Sequence, residues 1–297
     1  EKTLGQLFCD HSARQILDML LAECAAGDVT IRAGETVREI GGGERFRVTT
    51  DGADVEAPSL VIATGGPSVP KTGATGFAYD VARQFGLNLR TPAPGLVPLT
   101  LDAAELELAR PLSGVATDSL ASCARASFRE NILFTHRGLS GPAVLQVSNY
   151  WQPGEPVRLD LLPDVTDTEA LVALKRRRPK LRLKTALAEW LPARLAERLT
   201  AHLFRDRPLG DTGDRTLRRA LHRLKAWEVT PSGTEGFAKA EVTKGGVDTA
   251  ELSQRSMEAK RVPGLYVIGE AVDVTGWLGG YNFQWAWSSG WCAGQAV

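Results

Sequence analysis

The sequence is poor in the residues and patterns that mark several classes of protein. Its four cysteines are widely spaced and form no Cys-x-x-Cys pair, which argues against a disulfide scaffold and a zinc ribbon. We find no apolar run long enough to cross a bilayer and no signal-peptide pattern. The formal net charge is zero, because 35 Lys and Arg balance 35 Asp and Glu. With 43% hydrophobic residues, the chain is too apolar to be disordered, and we expect a cytoplasmic globular protein.

The two outer parts of the chain have an α/β pattern. Apolar residues at helical spacing predict a helix over residues 12–25, and short β-rich runs predict strands over 29–32, 36–40 and 46–50. The run Gly41-Gly42-Gly43 fits a hairpin turn better than a phosphate-binding loop, because its spacing is not G-x-G-x-x-G and no helix pattern follows it. Further strands are predicted over residues 60–63, 240–243 and 265–268.

A segment rich in proline and glycine, residues 91–98, separates the first part from a different middle region. The middle region has strand-like runs over 123–128, 132–135 and 157–162 and becomes helical from about residue 168 to 227. We therefore predict three parts: residues 1–93, 94–237 and 238–297. The first and third would build one sheet, and the second would be an inserted domain.

Charge is distributed unevenly along the chain. Residues 161–230 contain 16 Lys and Arg against 9 Asp and Glu, so this segment carries +7 and the remainder carries −7. The densest run extends from Lys175 to Lys184. Such a run is usually a solvated helix face, and the alternative is a surface that contacts phosphate.

Two segments have the pattern of ligand-binding turns. A buried strand ends at Gly269, and Glu270 follows at its carboxyl end, where open α/β sheets bind ligands. The pair Gly279-Gly280 then opens an apolar helix whose free N–H groups could face an electron-rich ligand. The alternative is a surface glutamate, a turn and a helix packed by Trp285, Trp287 and Trp291, and spacing alone does not decide between these two interpretations.

The second segment is the apolar run Leu60-Val61-Ile62-Ala63, which leads directly into Thr64-Gly65-Gly66. Glycines at that point suit a backbone that passes close to a bound cofactor. Taken alone the pattern is weak, since turns use glycine constantly.

Six segments, in this order, resemble one family: residues 2–9 (KTLGQLFC), 63–67 (ATGGP), 94–99 (PGLVPL), 134–142 (FTHRGLSGP), 242–247 (VTKGGV) and 264–294. On these segments the chain is identified as a member of the YhiN/HI0933-like (BaiN-like) flavoproteins, which are FAD-dependent oxidoreductases. The resemblance implies an α/β fold with an FAD/NAD(P)-binding Rossmann-like sheet. It also implies an inserted α+β domain that is β-barrel-like with added helices.

One feature of the family is missing from this sequence. Its members begin with a strand, a G-x-G-x-x-G turn and a helix that bind the FAD pyrophosphate, and no such pattern occurs here. We therefore expect a Rossmann-like sheet truncated at its N-terminus, and whether these residues alone retain FAD is open.

The resemblance also implies a set of FAD contacts. The strand around Val37 would flank the adenine, Glu270 beside Gly269 would hold a ribityl hydroxyl, and a helix N-terminus would face the pyrimidine ring, where it stabilises an anion by about 0.3–2 kcal/mol. The turn residues along the cofactor would be Ala63, Thr64, Gly65 and Gly66, and the helix tip would be Gly279, Gly280 and the N–H groups of Tyr281, Asn282 and Phe283.

His136 and Ser140 lie four residues apart, but a hydrolase is a poor interpretation because G-x-S-x-G is absent and Ser140 fits a helix N-cap before Pro142. His136 is the catalytic candidate, as a proton donor near the flavin. The alternative for His136 is a buried structural histidine.

The expected function is transfer of a hydride between FAD and an unidentified substrate, with NAD(P)H or dioxygen completing the cycle. No metal site and no membrane partner are expected. The partner would be a small molecule or RNA, because reduction of a uracil base in RNA is one reaction class associated with relatives of the family. The competing hypothesis is an RNA-binding protein that uses the basic middle region, with a vestigial flavin fold.

Overall fold

The structure, a computed structural model, describes residues 7–297, so most of the first family-like segment lies outside the described residues. The helices are α1 (Arg14–Ala26), α2 (Phe77–Gln84), α3 (Ala103–Ala109), α4 (Pro142–Ser148), α5 (Ala170–Arg177), α6 (Leu183–Leu187), α7 (Ala193–Leu203), α8 (Asp214–Lys225) and α9 (Tyr281–Gly294). The first seven strands are β1 (Val37–Gly41), β2 (Phe46–Thr50), β3 (Asp54–Ala57), β4 (Leu60–Ile62), β5 (Leu89–Gly95), β6 (Leu99–Thr100) and β7 (Ala116–Ser122). The others are β8 (Ser127–Phe134), β9 (Gly138–Ser140), β10 (Val157–Asp160), β11 (Trp227–Val229), β12 (Gly233–Thr234), β13 (Val242–Val247) and β14 (Leu265–Val267).

A short parallel sheet joins the first and third parts of the chain. Strands β4 and β14 pair in parallel, with Leu60 opposite Leu265 and Ile62 opposite Val267. All three residues of β14 are buried, as expected for a strand covered on both faces. The strands predicted at residues 60–63 and 265–268 are therefore present and adjacent, and their carboxyl ends meet at one edge.

The other outer strands form antiparallel pairs. Strands β1, β2 and β3 make a three-stranded sheet, so the prediction of a hairpin at the three glycines is confirmed. The strand predicted over residues 29–32 is wrong. Val29 and Ile31 are exposed there, and β-branched residues form a strand only where a neighbouring strand pairs with them.

The middle region contains a seven-stranded antiparallel sheet in the order β11-β10-β7-β8-β9-β6-β12. Its two edge strands, β11 and β12, are separated by only three residues of chain, which span roughly 10 Å. The sheet must therefore curl until its edges approach one another. Phe134 of β8 and Trp227 of β11 stack at 6.1 Å between ring centroids although their strands are not neighbours, as in a barrel-like sheet. The predicted helical stretch beyond it is present as α5–α8.

The described part of the chain has two hydrophobic cores, one in the middle region and one shared by the two outer parts. One core is built from residues between 99 and 229. The other combines residues 40–87 with residues 247–293, so the two outer parts pack together. None of the helices within residues 7–297 is long and apolar enough to span a membrane.

Lys244 of β13 ties the outer parts to the middle region. Its Nζ donates hydrogen bonds to the carbonyl oxygens of Ser148 and Asn149, both at 3.1 Å, where the C-terminus of α4 favours a cation. Asn149 Oδ1 in turn accepts a hydrogen bond from the backbone N–H of Leu96 at 2.8 Å. Burial lowers the pKa of Lys244.

Candidate functional site

The two glycine-rich turns singled out in the sequence meet in space. A Cβ atom added to Gly65 would lie 4.0 Å from Cβ of Glu270, although the two residues are far apart in sequence. The parallel pairing of β4 with β14 produces this contact, because both turns leave the same edge of the sheet. Gly65 has a φ of +66°, a conformation that side chains disfavour.

The carboxylate of Glu270 is anchored at this edge. Its Oε1 accepts a hydrogen bond from the backbone N–H of Thr243 at 3.1 Å, and the hydroxyls of Thr243 and Ser68 lie 2.8 Å apart. Burial raises the pKa of Glu270, and hydrogen bonds from Thr243 and the backbone of Gly66 oppose that rise. The carboxylate thus holds β13 against the turn that follows β4.

Tyr79 of α2 is a residue of this site that sequence reasoning missed. Its Oη is buried and has no hydrogen-bond partner within the described chain. A Cβ on Gly66 would come within 2.7 Å of that oxygen, so only glycine allows the backbone to pass this close. Burial, and then the charges of Glu270 and Asp273, raise the pKa of Tyr79 to about 12. One indication in the sequence that Tyr79 is buried is its place on the apolar face of α2.

The N-terminus of α9 is open. Gly280 precedes the helix with a φ of +92°, and no side chain caps it. Tyr281 and Phe283 are 59% and 71% exposed, so the first-turn N–H groups are accessible. The side chain of Asn282 is engaged with the loop, since its Oδ1 accepts a hydrogen bond from the N–H of Gly276 at 2.8 Å, which leaves its backbone N–H as the available donor.

Helix α9 is braced against the end of β14. The N–H of Gly269 donates to Oγ of Ser289 at 3.0 Å, and Nε1 of Trp285 donates to the carbonyl of Gly269 at 2.9 Å. These bonds fix Glu270 relative to the helix tip. The expectation that Trp287 and Trp291 are packing residues is wrong, because they are 40% and 68% exposed.

An aromatic bridge of four residues connects the helix tip to the middle region, and the sequence did not single it out. Trp277 donates a hydrogen bond from Nε1 to Oη of Tyr150 at 2.7 Å. The ring of Trp277 also packs edge-on against Phe128 at 5.2 Å and Tyr281 at 6.5 Å between centroids. The sequence signal that could have indicated this bridge was a tryptophan in a glycine-rich loop, between Gly276 and Gly279.

These features fit FAD. Ala63 and Thr64 are exposed beside the Gly65 turn, so the backbone is open to a ligand. Glu270 offers an acceptor for a hydroxyl, and the tip of α9 offers uncapped N–H donors. Tyr79 adds a buried hydroxyl that no group in the described part of the chain pairs with. The donor set thus matches a cofactor that carries both hydroxyl groups and an electron-rich ring.

The remaining sequence candidates lie on other elements. Val37 begins β1 in the three-stranded antiparallel sheet, whose Ile40 and Phe46 share the outer core with Tyr79. His136 lies in the turn between β8 and β9 and is exposed, so the alternative of a buried structural histidine is wrong. The N-cap predicted at Ser140 is also wrong, because Ser140 ends β9 and Gly141 precedes α4.

The sequence matches, over residues 1–296, the family described as HI0933-like protein Rossmann domain. The chain belongs to this family. The resemblance stated from its motifs is therefore confirmed, and so is the Rossmann-like α/β class. HI0933-like proteins are FAD-binding oxidoreductases.

Two relatives of this HI0933-like chain are named ribosomal RNA dihydrouridine synthase. The protein from Escherichia coli (strain K12) is 53% identical over 298 residues, covering 99% of this chain and 74% of the relative. The protein from Haemophilus influenzae is 43% identical over 304 residues, covering 100% of this chain and 76% of the relative. A third relative, from Clostridium scindens, is named 3-dehydro-bile acid delta(4,6)-reductase and is 30% identical, covering 96% of this chain and 73% of the relative.

Proposed function

We propose that this protein is an FAD-dependent reductase that converts a uracil base of ribosomal RNA to dihydrouracil. The observation that carries the proposal is the contact of the Gly65 turn with Glu270, next to a helix α9 that is bonded to Gly269 and begins with an uncapped N-terminus. The names of the two relatives at 53% and 43% identity support uracil in ribosomal RNA as the substrate.

Each part of the site has a role in this proposal. The Ala63–Gly66 turn and Glu270 would bind the ribityl chain, while Val37 would lie beside the adenine. The N–H groups of Tyr281, Asn282 and Phe283 would hold the electron-rich side of the ring, with Gly279 and Gly280 allowing its close approach. When bound and reduced by NAD(P)H, FAD would supply the hydride that adds to the uracil C5–C6 double bond.

Reduction of a double bond also needs a proton, which adds to the uracil carbon that does not receive the hydride. His136 is the proposed donor, and its exposed position in the β8–β9 turn leaves it accessible to a substrate. Replacing it by Gln should lower uracil reduction and leave FAD binding unchanged. Equal rates in H136Q and wild type would remove His136 from the mechanism.

The direct test of the function uses ribosomal RNA from cells that lack this protein. That RNA is incubated with the protein, FAD and NADPH, digested to nucleosides and analysed by mass spectrometry for dihydrouridine. We expect dihydrouridine to form only when both FAD and NADPH are present. No dihydrouridine under conditions in which the protein holds FAD would reject uracil as the substrate.

A second candidate is reduction of an unsaturated ring ketone. The relative named 3-dehydro-bile acid delta(4,6)-reductase favours it, and the exposed rings of Trp277 and Tyr281 could pack against an apolar ring system. Oxidation of NADPH by a panel of unsaturated ketones, in the absence of RNA, distinguishes the two candidates. RNA binding without any redox activity would instead favour a pure RNA-binding role.

A further inference from the structure

A basic cleft in the middle region lies outside the FAD site and carries charge that the fold does not use. It is a cavity of about 530 Å³ between the end of α7, the loop that follows and one face of α8. Its charged and ionisable lining consists of Arg205, Arg207, Arg219, Arg223, His202 and Asp211. Four guanidinium groups therefore face a single carboxylate.

The four arginines of the basic cleft form no ion pair and no side-chain hydrogen bond with the described chain. Arg219 and Arg223 lie one turn apart on the exposed face of α8, whose other face buries Leu217, Leu221 and Leu224 in the core. Like charges held one turn apart repel. Folding gains nothing from this arrangement, whereas an anion seated between the groups would gain several charge-assisted hydrogen bonds.

The basic run recognised in the sequence is a poorer anion site than its density indicates. Lys175 pairs with Asp214 at 2.9 Å, and Arg182 pairs with Asp206 at 2.7 Å. Arg178 also has a carboxylate partner, Glu189. These pairs neutralise part of the run, whereas none of the four arginines of the neighbouring cleft has a carboxylate partner in the described chain.

We propose that the basic cleft binds the phosphate backbone of the RNA substrate and holds it while the target base reaches the FAD site. Guanidinium groups bind phosphate oxygens in a bidentate manner, and a concave set of four can contact successive phosphates. Such contacts position an RNA without reading its sequence. Since the cleft serves an RNA substrate, this role rests on the proposed function.

The test compares two double variants with the same loss of charge. R219Q/R223Q alters the cleft, and R176Q/R177Q removes two exposed arginines of α5 that do not line it and form no ion pair within residues 7–297. Binding of a fluorescein-labelled RNA hairpin to the full chain is measured by anisotropy over a range of salt concentrations. Circular dichroism confirms that both variants are folded.

We expect R219Q/R223Q to bind the hairpin about tenfold more weakly at low salt and to lower the slope of log K against log salt by about 2, one unit for each lost phosphate contact. R176Q/R177Q should stay within about twofold of wild type. Equal losses in the two variants, or displacement of the hairpin by uridine monophosphate alone, would overturn the proposal.

Dihydrouridine formation separates this proposal from the proposed function. If wild-type protein reduces uracil and R219Q/R223Q keeps full RNA affinity, the RNA-binding role of the cleft is rejected and the proposed function stands. Wild-type protein that reduces no uracil, with affinity lost in R219Q/R223Q, would retain the cleft as an RNA surface and reject the reaction.

Discussion

Replacing Tyr79 by Phe removes the buried hydroxyl that has no partner within the described chain. Tyr79 is 3% exposed, and an unsatisfied buried hydroxyl costs about 1–3 kcal/mol. Since the ring itself is retained, packing in α2 is preserved. We therefore expect the free energy of unfolding of ligand-free Y79F to exceed that of wild type by about 1–3 kcal/mol at pH 8.

The same substitution has a pH signature. The pKa of Tyr79 is raised from 10.0 to about 12 in the folded protein, so the folded state retains a proton that the unfolded state loses between these values. Wild type therefore loses stability relative to Y79F as pH rises from 10 towards 12, by about 1.4 kcal/mol per pH unit within that interval.

Urea unfolding of both proteins from pH 8 to 11 measures the two effects together. Saturating FAD gives a third comparison, because a cofactor that bonds to Tyr79 Oη should stabilise wild type more than Y79F, by about 0.5–1.5 kcal/mol. Lower stability of ligand-free Y79F, or a difference between the proteins that does not change above pH 10, would refute the reasoning about this hydroxyl.

Three other substitutions test the rest of the site. E270Q should weaken FAD binding relative to the exposed control E56Q, and equal FAD affinity in both variants would contradict the role assigned to Glu270. Because burial raises the pKa of Glu270, the free energy of unfolding of E270Q should also rise relative to that of wild type as the pH rises above 4.5. K244M should lower the free energy of unfolding by about 1–3 kcal/mol through loss of two hydrogen bonds to α4, whereas exposed K71M should not, as urea titration would show. W277A should speed amide exchange in the loop before α9, because it removes the hydrogen bond to Tyr150 and the ring contacts with Phe128 and Tyr281. Exposed W291A is the control, and unchanged exchange in W277A would show that the aromatic bridge does not hold the loop.

The strands and turns that form the candidate site could be predicted from local sequence. The runs at residues 60–63 and 265–268 are entirely apolar, so they identify two strands, and the glycines after them mark where the backbone turns. Burial on both faces holds for β14 but not for β4, because Val61 is 37% exposed. The hairpin at Gly41–Gly43 was equally local. Such patterns depend on neighbours along the chain, which a sequence displays directly.

Features that depend on distant partners could not be predicted. The run from Lys175 to Lys184 reads as free positive charge, yet Asp206 and Asp214 neutralise part of it from other elements. The close approach of Gly66 to the Tyr79 hydroxyl likewise joins two separate elements, and nothing next to Tyr79 in sequence indicates this. Trp287 and Trp291 are apolar at helical spacing, but they are 40% and 68% exposed in the described chain.

Hydrogen–deuterium exchange with and without FAD tests most directly whether the Gly65 turn and the N-terminus of α9 bind the same cofactor. If they do, FAD slows exchange in two separated peptides, the turn at residues 63–66 and the first turn of α9 at residues 281–283. Protection confined to other peptides, with exchange at both of these unchanged while FAD is bound, would contradict it.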